Sequence, residues 1–269
     1  MNLHESSAMT SILAIDASSD ACSVALLLDG EYLESHRLAP RRHAEILLPE
    51  IEGLLSRCAL SLRDLDGFAF GRGPGAFTGI RIATGVVQGL AFGTDLPVVP
   101  VSSLQALAQG VWRQHKARNI LTAFDARMGE VYWGAYRVDS RDLAAPAIEE
   151  CVCAPVAIAL PDEEGDWFGA GSGWATYGGE LGQTVEWQRL GESGQFDHDG
   201  SRHGLTGHRS TKPRSTGHRS TGHRLTDIDP DRYPHARDVA TLAVDALERG
   251  ELVSAEHAQP VYLRNRVTR

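Results

Sequence analysis

The chain has 269 residues, 42% apolar and 23% charged, which suffices for one large domain or two modest ones and excludes a wholly disordered chain. Its formal charge of −9 excludes a surface that attracts nucleic acid as a whole. No run reaches the ~20 apolar residues of a membrane span, and the opening MNLHESSAMTS lacks the regions of a secretory signal, so a cytoplasmic protein without membrane contact is expected.

Residues 1–10 read as a disordered extension, and Met9 competes with Met1 as the start. SILAID (11–16) predicts a strand ending in an acid. CSVALLL (22–28) is a second strand, and EYLESHRL returns as a third through the Asp29–Gly30 hairpin signal. In RHAEILLPEIEGLLSRC, residues Ala44, Leu47, Leu48, Ile51, Leu54, Leu55 and Cys58 recur at helical spacing. Pro49 predicts a kink there, or a start near Leu48. LDGFAFG is the next strand, and it runs into the glycine turn GRGPGAFTG. The helix that follows, TGIRIATGVVQGLAFG, is small or apolar all round, which predicts burial on every side. LPVVPVS is a strand, and SLQALAQGVWRQH is a helix behind a serine cap.

At residue 120 the opening pattern recurs. ILTAFDARMGEVYWGAYRVD lies over ILAIDASSDACSVALLLDG with Asp125 against Asp16, predicting two copies of a related α/β subdomain. DWFGAGSGW gives one more strand and glycine turn, PHARDVATLAVDALERGE a helix, and AQPVYLRN an extended tail. The expected boundaries are 11–113 and 114–195 for the two subdomains, 196–230 for an insert, and 231–269 for a helix and tail that pack back on both.

The insert carries TGHRS-TKPRS-TGHRS-TGHRL, a repeat of five residues that suits neither helix nor strand, so disorder is expected. It holds six basic residues from Arg202 to Arg224 and no acid; the rest of the chain has 20 basic residues against 35 acidic. A basic arm for RNA is the functional alternative. Its histidines (His203, His208, His218, His223) lack the fixed geometry that a metal needs.

The glycine turn invites a phosphate, because a helix N-terminus behind glycines is an anion site. A Walker loop fails here, since counting from Gly73 puts Thr78, Gly79 and Ile80 where the glycine, lysine and hydroxyl belong, and there is no lysine. The dinucleotide pattern matches as Gly71, Gly73 and Ala76, but Pro74 removes a backbone donor. The next acid, Asp95, precedes its strand, whereas a ribose-binding acid belongs at the strand's end. Asp16 and Asp125 stand where actin and hexokinase carry a magnesium-directing acid; alanine follows each, where that group has glycine. They are the candidate nucleotide contacts. The four cysteines form no CxxC pair, and buried free thiols are expected for all. No serine sits in a nucleophile elbow, which counts against a serine hydrolase.

The blocks ILAIDASSDACSVALL, RRHAEILLPEI, FGRGPGAFTGIRIATGVVQGLA, FDARMGEVYWGAY and HAQPVYLRN together resemble the TsaB family of tRNA threonylcarbamoyladenosine biosynthesis proteins, over most of 10–180 and 233–266. The resemblance implies two tandem actin-like (ASKHA, RNase H-like) α/β subdomains with mixed sheets flanked by helices. It implies a non-catalytic subunit, without a cofactor or metal of its own, that pairs with the paralogous transferase TsaD and with TsaE. Contact with tRNA through the complex, ATP or ADP shared at the TsaD interface, and a homodimer in isolation belong to the same expectation. The helices near 41–58 and 78–92 would face TsaD, with His43, Leu47, Ile51, Gly79, Ala83, Thr84, Gly85 and Val87 as interface residues. The catalytic relative holds a metal with helix-borne histidines; His43 alone cannot supply three ligands, which also counts against a metallopeptidase. The alternative is an actin-like phosphotransferase or ATPase built on Asp16 and Asp125.

Overall fold

The computed structural model describes residues 10–190 and 222–264. The first half is β1 (Ser11–Asp16), β2 (Ala21–Leu28), β3 (Glu31–Leu38), α1 (His43–Arg57), β4 (Gly67–Gly71), α2 (Phe77–Thr94), β5 (Val98–Val101) and α3 (Ser103–His115). The second is β6 (Asn119–Arg127), β7 (Glu130–Val138), β8 (Ala144–Pro146), β9 (Cys151–Cys153), β10 (Asp166–Ala170), α4 (Ser172–Leu190), β11 (Arg224–Asp229) and α5 (Ala236–Glu248).

The sheets repeat one topology. The first runs β3-β2-β1-β4-β5, the second β8-β7-β6-β10-β11, with β9 also on β7. In each, the first hairpin is antiparallel and the two later strands are parallel to the opening one. Two tandem α/β subdomains with mixed sheets of one topology are the result. Asp29 and Gly30 both take positive φ (51° and 84°), the mirror-image turn that matches strand twist. Met128 and Gly129 do the same (58° and 77°) in the second hairpin.

Each sheet is covered on both faces. α1 and α2 lay Leu47, Ile51, Leu54, Ala83, Val87 and Ala91 on the outer face of the first sheet. The inner face takes Ala236, Val239, Ala240 and Ala243 of α5, so the last helix packs on the first sheet. α3 fills one face of the second sheet and α4 the other. An ion pair joins α3 to α5: the Arg113 guanidinium donates to both oxygens of the buried Asp238, at 2.8 and 2.9 Å. Arg232 adds a bond to the Gly110 carbonyl at 2.6 Å.

Three expectations need correction. Pro49 lies inside α1, which starts at His43 and not near Leu48. The insert ends earlier than residue 230, because β11 pairs in parallel with β10 and belongs to the sheet. The last repeat unit holds that strand's entry: the Trp167 indole donates to Nδ1 of buried His223 at 3.0 Å, and Arg224 pairs with Asp166 at 2.6 Å. The earlier repeat units and the extension up to residue 9 lie outside the described residues. Third, α2 is not buried on every side: Gly85, Gly89, Phe92 and Gly93 are exposed, while Gln88 and Arg81 bond to Ala258 and Tyr262 of the C-terminal segment.

Candidate functional site

The glycine turn is built from β4, whose last residue is Gly71, and it presses on the loop after β1. Asp16, at the end of β1, is fully buried. Its Oδ1 accepts the Ser18 backbone N–H at 3.0 Å and the Ser18 hydroxyl at 2.8 Å; its Oδ2 accepts the Ser103 hydroxyl at 3.2 Å. Burial pushes its carboxyl above the usual range, and these hydrogen bonds, with the charge on His43, oppose the rise. Ser103 closes the ring, since its Oγ accepts the Gly73 N–H at 3.2 Å and its own N–H donates to the Gly73 carbonyl at 3.0 Å.

The glycines therefore have a stated task. A Cβ on Gly71 would stand 1.8 Å from Asp16 Oδ2, and one on Gly79 would stand 1.9 Å from the Ala17 carbonyl oxygen. The Ala76 N–H donates to the Ser18 carbonyl at 2.7 Å. Carbonyls of the β1–β2 turn thus occupy the space over the start of α2 that a phosphate would need. A carbonyl already satisfies a donor there, and it repels an anion.

Asp125 is arranged differently. Its Oδ1 accepts the Arg127 N–H at 2.8 Å, its Oδ2 pairs with the Arg127 guanidinium at 2.9 Å, and that guanidinium is 84% exposed. The pair shares a turn-forming role at the surface, without the ring of donors that encloses Asp16. The two aspartates occupy corresponding positions, as the sequence repeat predicts, and each is satisfied within its own subdomain.

The residues expected at a partner interface separate sharply. Leu47, Ile51, Gly79, Ala83, Thr84 and Val87 are buried in the chain's own core, and His43 is buried with its Nε2 against the Ala21 carbonyl at 3.2 Å. They cannot meet a partner, because they already hold α1 and α2 to the sheet. Gly85 is exposed with open space around it, as are Gly89 and Gly93. Beside this glycine stripe lie Arg81, Phe77 (56% exposed) and Phe92 (85% exposed), with Leu48 exposed on α1. A groove of ≈ 990 Å³ continues the face, lined by Gly85, Gly89, Phe92, Leu252, Val253 and Glu256. Phe92, Phe77 and Leu48 were missed as surface positions. Arg81 was the available signal, since a charged residue marks the wet side and Gly85 and Gly89 follow it at intervals of four.

A second cluster gathers Glu34, His36 and His235, whose ligand atoms all lie within 4.8 Å of one another. The two imidazoles stack in parallel, 3.8 Å apart and 5° from coplanar. Their in-plane lone pairs therefore run side by side and do not converge on one point ~2.0–2.1 Å from each nitrogen, as a metal requires. Burial, then the neighbouring His235 charge, lowers the His36 imidazole to about 4. Glu34 accepts from Ser23 at 3.2 Å and meets His235 Nδ1 at 3.0 Å, and the His235 contact holds its carboxyl below the usual range against burial. This is a latch between β3 and the start of α5.

Comparison with known proteins now adds to this geometry. Residues 35–169 match the family described as TsaD, tRNA N6-adenosine threonylcarbamoyltransferase. The tRNA threonylcarbamoyladenosine biosynthesis protein TsaB of Escherichia coli is 37% identical over 95% of this chain and 95% of its own length. The chain belongs to the TsaB family. The Haemophilus influenzae TsaB is 44% identical over 62% of this chain and 73% of its own. A crystal structure titled as an uncharacterized protein with similarity to peptidase YEAZ, from Pseudomonas aeruginosa, superposes with a TM-score of 0.77 at 40% identity, covering 95% of this chain and 100% of that one. Family membership and fold thus agree, as the quoted sequence blocks led one to expect. Among the described residues no helix is long and apolar enough to cross a membrane.

Proposed function

We propose that this chain is the non-catalytic partner subunit of a cytoplasmic tRNA threonylcarbamoyl transferase complex. In this reading it pairs with TsaD through the outer face of α1 and α2, works with TsaE, and meets tRNA through the complex. The observation that carries the reading is the exposed glycine and aromatic surface of α2. Gly85, Gly89 and Gly93 form a stripe with no atoms above them, flanked by an almost wholly exposed Phe92. An unpacked stripe of small residues permits close approach of another helix, and apolar surface of this kind marks a protein interface. The match of residues 35–169 to the TsaD description supports two partners of common ancestry, which can meet through like surfaces.

The lack of a catalytic role is supported by the filled glycine turn and by His43, which is spent on a backbone carbonyl. The same filling counts against a phosphotransferase built on Asp16. ATP or ADP, where it takes part, would be shared with TsaD and not held by this chain alone. A homodimer through the same face is the expected state when TsaD is absent.

Reconstitution with TsaD, TsaE, ATP, the threonylcarbamoyl donor and tRNA tests the proposal, with nucleoside mass spectrometry as readout. Modified adenosine is expected only when this chain and TsaD are both present. Modification by this chain alone, or undiminished modification without it, would overturn the assignment.

A further inference from the structure

Cys151 and Cys153 both lie on β9 and, two residues apart on a strand, point to the same side. Their sulfurs are 3.8 Å apart and share a hydrogen bond. Burial of all four cysteines was expected. Only Cys22 is fully buried, whereas Cys58, Cys151 and Cys153 are half-buried.

We propose that Cys151 and Cys153 form a reversible thiol–disulfide pair, a redox modification site that reacts with low-molecular-weight disulfides such as glutathione disulfide.

Four observations support the site. First, the sulfurs are already 3.8 Å apart, and bonding at ~2.05 Å requires the strand to bend and draw the two Cβ atoms in to about 3.5–4.5 Å. An extended strand puts the i and i+2 Cα atoms about 6.4–6.8 Å apart, at the long end of the range a disulfide spans. Second, β9 has three residues and pairs only with β7, at Val131, Tyr132 and Trp133. An edge strand this short can draw its ends together without disturbing a second ladder. Third, Cys151 ionises first: its thiol is lowered to about 7 by the hydrogen bond with Cys153, whose own thiol is held well above the usual range beside that thiolate. By contrast, burial pushes the Cys22 thiol up to about 11. Fourth, a soft-metal site is the rival for any thiol pair, and it needs further ligands. Among the described residues the sulfurs are not joined by a third histidine, cysteine or carboxylate ligand.

The chemistry balances in two exchanges. The Cys151 thiolate attacks one sulfur of glutathione disulfide, forming a mixed disulfide and expelling one glutathione thiolate. Cys153 then loses its proton to solvent, attacks the Cys151 sulfur and expels the second glutathione. Two protein thiols are oxidised and one glutathione disulfide is reduced to two glutathiones. The residue before the pair is Glu150, whose Oε1 accepts the hydroxyls of Ser102, at the start of α3, and of Tyr136, on β7. Ring closure therefore acts next to a contact that joins the two subdomains.

The test uses the full reduced chain treated with glutathione disulfide, then acid-quenched, denatured, alkylated with N-ethylmaleimide and weighed by mass spectrometry. Two of the four cysteines should escape alkylation, both in the peptide holding 151–153, and a dithiol reductant should restore all four. Native alkylation of Cys151 should exceed that of Cys22 by at least about tenfold at neutral pH, where the Cys22 thiolate is scarce and its sulfur buried. In Cys153→Ser the reaction should stop as a single glutathione adduct on Cys151; Cys151→Ser should lose most of its reactivity. Four alkylated cysteines in treated wild-type protein, a stable glutathione adduct without closure, or disulfides only between chains would each overturn the proposal. The wild-type measurements decide the matter even where a variant folds poorly.

Discussion

The two subdomains share a topology yet treat the joint between first strand and outer helix in opposite ways. In the first, Gly79 lets the start of α2 lie on the Ala17 carbonyl, and Asp16 disappears beneath the turn. In the second, Gly173 brings α4 against Ala123, where a Cβ would meet another Cβ at 2.7 Å, and Asp125 stays near the surface with Arg127. The outer layers differ too. Both outer helices carry open glycines, Gly85, Gly89 and Gly93 on α2 and Gly178, Gly179 and Gly182 on α4, but only the first sets exposed Phe77 and Phe92 beside them; in the place of α1 the second sheet has only a short 3-10 turn at Pro155–Ala157. One repeated plan has thus left exposed aromatic side chains beside the outer helix in the first copy.

The largest effect should come from the turn itself. Gly79→Ala drives a methyl into a backbone carbonyl at 1.9 Å, and about 3–5 kcal/mol of stability should be lost, measured by urea denaturation. Gly173→Ala makes a smaller overlap, 2.7 Å from the Ala123 Cβ, and should cost about 1–3 kcal/mol. Equal losses at the two sites would erase the distinction between the joints.

The seam between the subdomains gives the next test. Asp238→Ala leaves Arg113 without its buried carboxylate and removes a favourable charge near Arg232, which keeps its pair with Asp229, and about 2–4 kcal/mol should be lost by the same assay. A neutral result would mean that α5 is held by its apolar face alone.

A smaller effect is set by pH. The folded His36 pKa, about 4, lies below its unfolded value, so the unfolded chain takes up this proton first as pH falls. Stability from this group is fully present above about pH 6.5 and is lost between there and about 4; allowing for its partial exposure, the loss is about 1–2 kcal/mol. Glu34, whose folded pKa is also lowered, adds a loss below its unfolded value of ~4.3. His36→Phe should flatten the first part of the thermal-stability profile, and an unchanged slope would remove His36 from the latch. The smallest change has the opposite sign. Gly85→Ala, on open helix surface, should stabilise the chain by about 0.5–1 kcal/mol.

Much of this was readable in the chain. The Asp29–Gly30 turn, the alternation of β1 to β3 and the Leu47-Ile51-Leu54 stripe each carry a local physical signal, and the Asp16–Asp125 repeat announced the duplicated plan. α4 was not readable, because Gly178, Gly179 and Gly182 dilute its pattern and Tyr177 leaves helical geometry at φ −124°. β11 was hidden because Arg224 and Leu225 look like one more repeat unit; only Trp167 and Asp166, more than fifty residues away, give them a place. The interface residues failed for a related reason. A helix made of Gly, Ala, Ile and Val on all sides does not declare which side meets its own sheet, so the buried Ala83 and Val87 were grouped with the bare Gly85.

The most direct measurement is the affinity of Gly85→Leu for TsaD, taken beside its melting temperature. A leucine there has open space in the free chain and replaces glycine in a helix, so melting should be unchanged or slightly higher. Close helix approach would be blocked, and binding should weaken at least tenfold. Wild-type affinity in a normally folded variant would contradict the assignment of this face to the partner.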